Sequence, residues 1–145
     1  MRGFKYPVVD GNCPNVTLEN EANGEEGNYY RLVEPGTKLE DNFIPYYCLE
    51  EHKSIIEKFK EKNDAIKLCK ACGLSLFKSE REASMASQKG KTAGCSIYMG
   101  SLTSDLGILK ATSSKHIPSH HTWYPYEDIM FSSLFNKNEE IDNGN

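Results

Sequence analysis

The 145-residue chain has no stretch approaching the ~20 consecutive apolar residues of a membrane helix, so a helical membrane-spanning class is excluded. It has no G-x-S-x-G elbow, which removes the best-marked signal for a serine nucleophile. A phosphate-cradling P-loop and a dinucleotide fingerprint are absent too, because Gly94, Gly100 and Gly107 are wrongly spaced for either. A clustered basic surface is lacking, because the acidity lies in the tails and the folded part is nearly neutral. The net charge is −4, with −3 in residues 1–28, +1 in 29–135 and −2 in 136–145. Lys89, Lys91, Lys110 and Lys115 make at most a modest patch, best read as a solvated face, so nucleic acid is not the expected partner. The five cysteines are too few and too uneven for a secreted disulfide framework, and reduced thiols in a cytoplasmic protein are expected. The first residues, MRGFKYPVVDGN, carry no apolar run of leader length, so Asn15-Val16-Thr17 has little meaning as a glycosylation acceptor. No internal repeat is present.

What remains is the pattern of a small α+β domain. Residues 1–27 read as a flexible acidic arm, 28–135 as a single α+β domain and 136–145 as a polar tail. A β-favouring run at 28–33 is closed by Glu34-Pro35-Gly36. Thr37-x-x-Glu40 and Ser79-x-x-Glu82 fit capping boxes, and Asp64 fits an N-cap. Helical periodicity runs over 49–62, 65–72 and 80–88, with Gly73 placed as a left-handed C-cap. Residues 74–77 read as a short strand. Residues 96–102 and 106–111 read as a hairpin across Thr103-Ser104-Asp105. Pro118 and Pro125 predict an irregular 113–125, and 129–135 is a last strand or short helix. The expected fold is therefore a partly antiparallel sheet with two to four short helices, a mobile arm and a mobile tail.

Chemistry concentrates in residues 115–126, KHIPSHHTWYPY, which hold three of the four histidines and the only tryptophan. A proline-bounded aromatic loop on a rigid scaffold suits protein binding, with Trp123, Tyr124, Tyr126 and His116 as contacts. His120 or His121 could instead serve as a general base, with Arg31 and Ser75 sharing its pocket, in a small transferase or hydrolase. The bland alternative is that the aromatics plug the core while His120 and His121 point to opposite sides. Cys48-x3-His52 followed by Cys69-x2-Cys72 offers four soft ligands for a structural zinc, with buried thiols as the alternative. A redox role for Cys69-Lys70-Ala71-Cys72 is disfavoured, since a helix C-terminus opposes the thiolate.

Tyr30-Arg31 in the early strand, Gly73-Leu74-Ser75-Leu76-Phe77 and the late strands loosely resemble small ADP-ribosyltransferase-type domains. In that family an early Arg or His, a mid-chain Ser or Tyr and a late Glu line a nicotinamide pocket. The resemblance implies those roles for Arg31, Ser75 and Glu127. It covers three scattered positions, lacks the family's Ser-Thr-Ser run, and places Glu127 outside the usual acidic doublet, so it stands as a fold-level analogy.

Overall fold

Short β-favouring runs punctuated by turn residues give six strands, which join in one antiparallel sheet of order β4-β5-β2-β1-β3-β6. The computed structural model describes residues 3–9 and 11–138. The strands are β1 Gly27–Val33, β2 Leu74–Phe77, β3 Ser96–Leu102, β4 Gly107–Ala111, β5 His120–Pro125 and β6 Phe135–Lys137. Four short helices accompany them: α1 Lys53–Glu61, α2 Ala65–Ala71, α3 Glu80–Ala86 and α4 Phe131–Leu134. The α+β, antiparallel, single-domain expectation holds.

Local chemistry sets most boundaries as the sequence suggests. The Asp64 side chain accepts from Lys67 N–H and starts α2, and Ser79 accepts from Glu82 N–H and starts α3. The capping box at Ser79 is only half formed, because the Glu82 carboxylate accepts from both the backbone and the hydroxyl of Ser119. That pair of bonds pins the turn before β5 onto α3. Thr37 does not cap a helix. Its hydroxyl donates to Glu34 C=O and accepts from Asn42, closing a turn before the short 3-10 segment at Leu39–Asn42. Gly73 is not left-handed either; the positive φ falls at Asn63, φ 52, after α1. Glycine is needed at 73 for closeness, since a Cβ there would lie 2.4 Å from Thr122 Cγ2.

The hairpin expected at Thr103-Ser104-Asp105 does not form. β3 pairs with β1 over seven positions, from Gly27↔Leu102 to Val33↔Ser96, and with β6 on its other side. β4 pairs with β5 instead. β3 and β4 are thus four strand spacings apart in the sheet, about 19 Å if it were flat. The five steps from Leu102 to Gly107 reach at most about 17 Å, and Leu106 N–H folds back to Thr103 C=O. The sheet must therefore curl so that its two ends approach, as in an open barrel.

β5 corrects the expected irregularity of 113–125. Its pairing with β2 ends at Leu74↔Trp123, so Pro125 lies beyond that ladder and its missing N–H leaves no gap there. Pro118 falls in the preceding turn. Inside the curl, Trp123 packs with Tyr29, Phe43, Phe131 and Phe135 in the main core, and Phe43 stacks on Phe131 at 4.4 Å. On the other face Tyr124 packs with Cys13, Leu18, Cys69 and Cys72.

That second cluster changes the account of the N-terminal segment, over its described residues. It lies against the domain, with Leu18 1% exposed, Phe4 bridging Tyr126, Asn23 bridging Lys110, and a Cys13–Cys69 disulfide tying it to α2. Two apolar anchors, a backbone bridge and a covalent link outweigh a polar composition. At the other end Asn136 and Lys137 belong to β6; the rest of the expected tail from residue 139 lies outside the described residues. Among the described residues no helix is long and apolar enough to cross a membrane.

Candidate functional site

Strand alternation separates the two central histidines. His120 pairs opposite Phe77 and His121 opposite Leu76, so their rings leave opposite faces of β5. His121 enters the core, edge-on to Tyr29 at 4.9 Å, with Nδ1 2.7 Å from Ser119 C=O. Burial lowers its pKa, and the Ser119 contact opposes the shift only in part. His120 lines a cleft of about 380 Å³ between β1, β2, α2 and α3. Arg31 and Ser75 line the same cleft, with Lys70, Tyr46 and Ile117. Of the residues expected to share a pocket, three meet and His121 does not.

His120 is held by its Nδ1, which is 2.8 Å from the Thr112 hydroxyl and 3.2 Å from Thr112 C=O. The Thr112 hydroxyl in turn contacts the buried Thr122 hydroxyl at 2.8 Å. In the tautomer that gives Nδ1–H to Thr112 C=O the lone pair sits on Nε2; in the one that accepts from the Thr112 hydroxyl it sits on Nδ1. Burial lowers the His120 pKa below its ordinary value, which keeps the ring neutral at pH 7.

Arg31 carries the site's most unusual electrostatics. Its Nε–H and an Nη2–H donate to Asn42 C=O at 2.9 and 2.7 Å, and an Nη1–H donates to Ser75 C=O at 2.6 Å. The Phe43 ring lies 5.2 Å from the guanidinium carbon. No carboxylate among the described residues forms an ion pair with it. Desolvation lowers its pKa to about 10. Two of its five N–H groups have no acceptor among the described residues. Among the described residues lining the cleft none is Asp or Glu, while Arg31, Lys70 and His120 are all there. Glu34, Asp41 and Glu51 line an adjoining hollow that Arg31 also borders.

The other expected residues fall elsewhere. Glu127 is exposed past the end of β5, seven residues and about 23 Å of strand from His120, so it does not complete a set with Arg31 and Ser75. Its backbone N–H donates to Gly3 C=O. Ser75 contributes its carbonyl to Arg31, and its residue is exposed. Trp123 is 0% and Tyr124 2% exposed, so neither offers a surface to a protein partner. Tyr124 OH donates to Cys69 C=O at 2.6 Å. Tyr126 stacks on Phe4 at 5.8 Å, and His116 is exposed on the turn before β5. The zinc set does not assemble. Cys69 is bonded to Cys13, Cys72 is buried beside Tyr124, Cys48 is exposed, and His52 stacks on Tyr46 at 3.9 Å. Among the described residues no group of three or more His, Cys, Asp or Glu is placed to hold a metal ion. Lys70 was missed by the sequence reading, although its place in α2, directly before β2, put it beside Ser75.

The chain matches no family model, no curated protein and no solved structure, so its chemistry has to be read from the cleft itself.

Proposed function

We propose that this chain binds a small carboxylate with an apolar body in the Arg31 cleft. The observation that carries the reading is a desolvated guanidinium with no carboxylate partner among the described residues, lining a cleft where those residues supply two further nitrogen bases and no acid. Arg31 is half-buried, and a cation held partly out of water is ordinarily paired, because its desolvation otherwise goes uncompensated. Arg31 retains two N–H groups in a fork that suits a carboxylate, and Lys70, whose Nζ lies 3.9 Å from Glu21, is a second cation at the edge of the cleft. Leu32, Ile44, Pro45, Leu74 and Ile117 supply the apolar wall. The volume lies within the range of small-molecule sites.

The test is a thermal and NMR titration with hexanoate and benzoate against hexanol and benzyl alcohol. The carboxylates should raise the unfolding midpoint, by about 2.7 kcal/mol of stabilisation at a hundred times Kd. Arg31→Met and Lys70→Met should each remove the response. Equal stabilisation by the neutral alcohols would refute the reading.

A second reading follows from His120. A neutral ring anchored through Nδ1 suits a general base acting through Nε2, which supports the hydrolase or transferase alternative. His120→Gln should abolish turnover of an activated ester of the bound acid while leaving binding of the free acid within about threefold. The ADP-ribosyltransferase analogy gains no support from the position of Glu127. A protein partner bound through the 115–126 loop has lost Trp123 and Tyr124 as anchors, which leaves His116 and Tyr126. The Cys13–Cys69 bridge favours an oxidising compartment over the cytoplasm.

A further inference from the structure

The curl of the sheet creates a second hollow that shares no lining residue with the Arg31 cleft. It has a volume of about 300 Å³ and lies where the end of β3, the start of β4 and the middle of β5 come together. Trp123 lines it. The indole ring is 0% exposed, packed against Phe131 and Phe135 at 6.0 and 5.9 Å. A buried indole N–H normally finds an acceptor. The Trp123 Nε1–H has none among the described residues. Among the described residues no fully enclosed side-chain nitrogen or oxygen lacks a partner, so this N–H reaches the wall of the hollow that Trp123 lines. Gly107 leaves the approach open, since a Cβ there would sit 2.8 Å from Nε1.

The rest of the lining selects the ligand by charge. Among the described residues its lining contains no Lys, Arg or His and a single carboxylate, that of Glu26, whose Oε2 accepts from Ser104 N–H at 2.7 Å. An anion would meet that carboxylate without a compensating cation. An ammonium would offer no acceptor to the indole N–H. A hydroxyl satisfies both, because it accepts from Trp123 and donates to Glu26. The amides of Asn15 and Asn23 can do either, and Leu109 and Tyr126 provide apolar contact. We propose that the hollow is a binding site for a small neutral polyhydroxylated molecule of monosaccharide size, with the Trp123 N–H donating to a ligand oxygen. Its volume lies at the lower end of the range for small-molecule sites.

Trp123 is the only tryptophan in the chain, so its fluorescence reports on this hollow and on the core beside it. The intact chain should be titrated with glucose, galactose, mannose and myo-inositol, with glucosamine and gluconate as charged counterparts. At least one neutral compound should give a saturable change with a millimolar Kd. Glu26→Ala should weaken it at least tenfold. Thr103→Phe, at an exposed position on the wall, should remove it while circular dichroism stays unchanged. The proposal is overturned by a flat response to every neutral compound, by a response to the charged compounds alone, or by equal responses in the wild type and Thr103→Phe.

Discussion

Replacing Trp123 by alanine separates an interior role for β5 from a surface role. The indole is buried, with its N–H edge on the hollow and its rings in contact with aromatic rings from α4 and β6. Truncating an enclosed aromatic to alanine costs about 3–5 kcal/mol, part for lost transfer and part for the cavity left behind. The hollow already present on one side limits how far neighbours can collapse, so about 4 kcal/mol is expected. That is a large share of the roughly 5–15 kcal/mol by which domains are stable. For a chain of 145 residues it corresponds to a fall in Tm of roughly 12–20 °C. Urea unfolding followed by far-ultraviolet circular dichroism measures it, since the variant has no tryptophan to report. Trp123→Phe should lose less than half as much. A loss below about 1 kcal/mol for alanine, with the fold intact, would show the ring to be a surface anchor after all.

Gly73→Ala should destabilise by about 1–3 kcal/mol, because the new methyl meets Thr122 at 2.4 Å and the Tyr124 ring at 3.0 Å; an unchanged urea midpoint would contradict the tight β2–β5 contact. Cys13→Ser should lower stability by about 4 kcal/mol through the loss of a link spanning 56 positions, and a non-reducing peptide map should recover Cys13 joined to Cys69. Burial lowers the pKa of both His120 and His121 in the folded state, so the unfolded chain binds more protons below its ordinary pKa near 6.5. Stability is then complete above that pH and falls as the pH drops toward the folded-state values. In His121→Phe the slope of stability against pH between 6.5 and 5 should be shallower, by urea midpoints at each pH.

How much of this was legible in the sequence depended on whether the cause was local. The caps at Asp64 and Ser79, β1 and β2 all arise from neighbouring residues, and each was readable. So was the opposed direction of His120 and His121, which follows from a period of two. Strand partners were not. Thr103-Ser104-Asp105 has hairpin spacing, but β1 offers β3 seven paired positions, a choice made by residues some seventy positions away. The prolines misled at 113–125 because their effect depends on which side of the strand is paired. The N-terminal segment misled because composition averaged over 27 residues hides the few that matter, Phe4, Cys13 and Leu18. In the cleft, Arg31, Ser75 and His120 were named correctly as neighbours, but Lys70 was not. No local signal marks a lysine that the return from α2 to β2 brings to a pocket.

The Arg31 guanidinium itself provides the most direct measurement. Its Nε–H should give a slowly exchanging NMR signal, since it is bonded to Asn42 C=O in a desolvated setting. Titration with benzoate should shift that signal saturably and slow its exchange further, whereas benzyl alcohol should leave it unmoved. An Arg31 signal that exchanges as fast as an exposed arginine, or that ignores benzoate while the protein is folded, would contradict the claim that this cation awaits an anionic ligand.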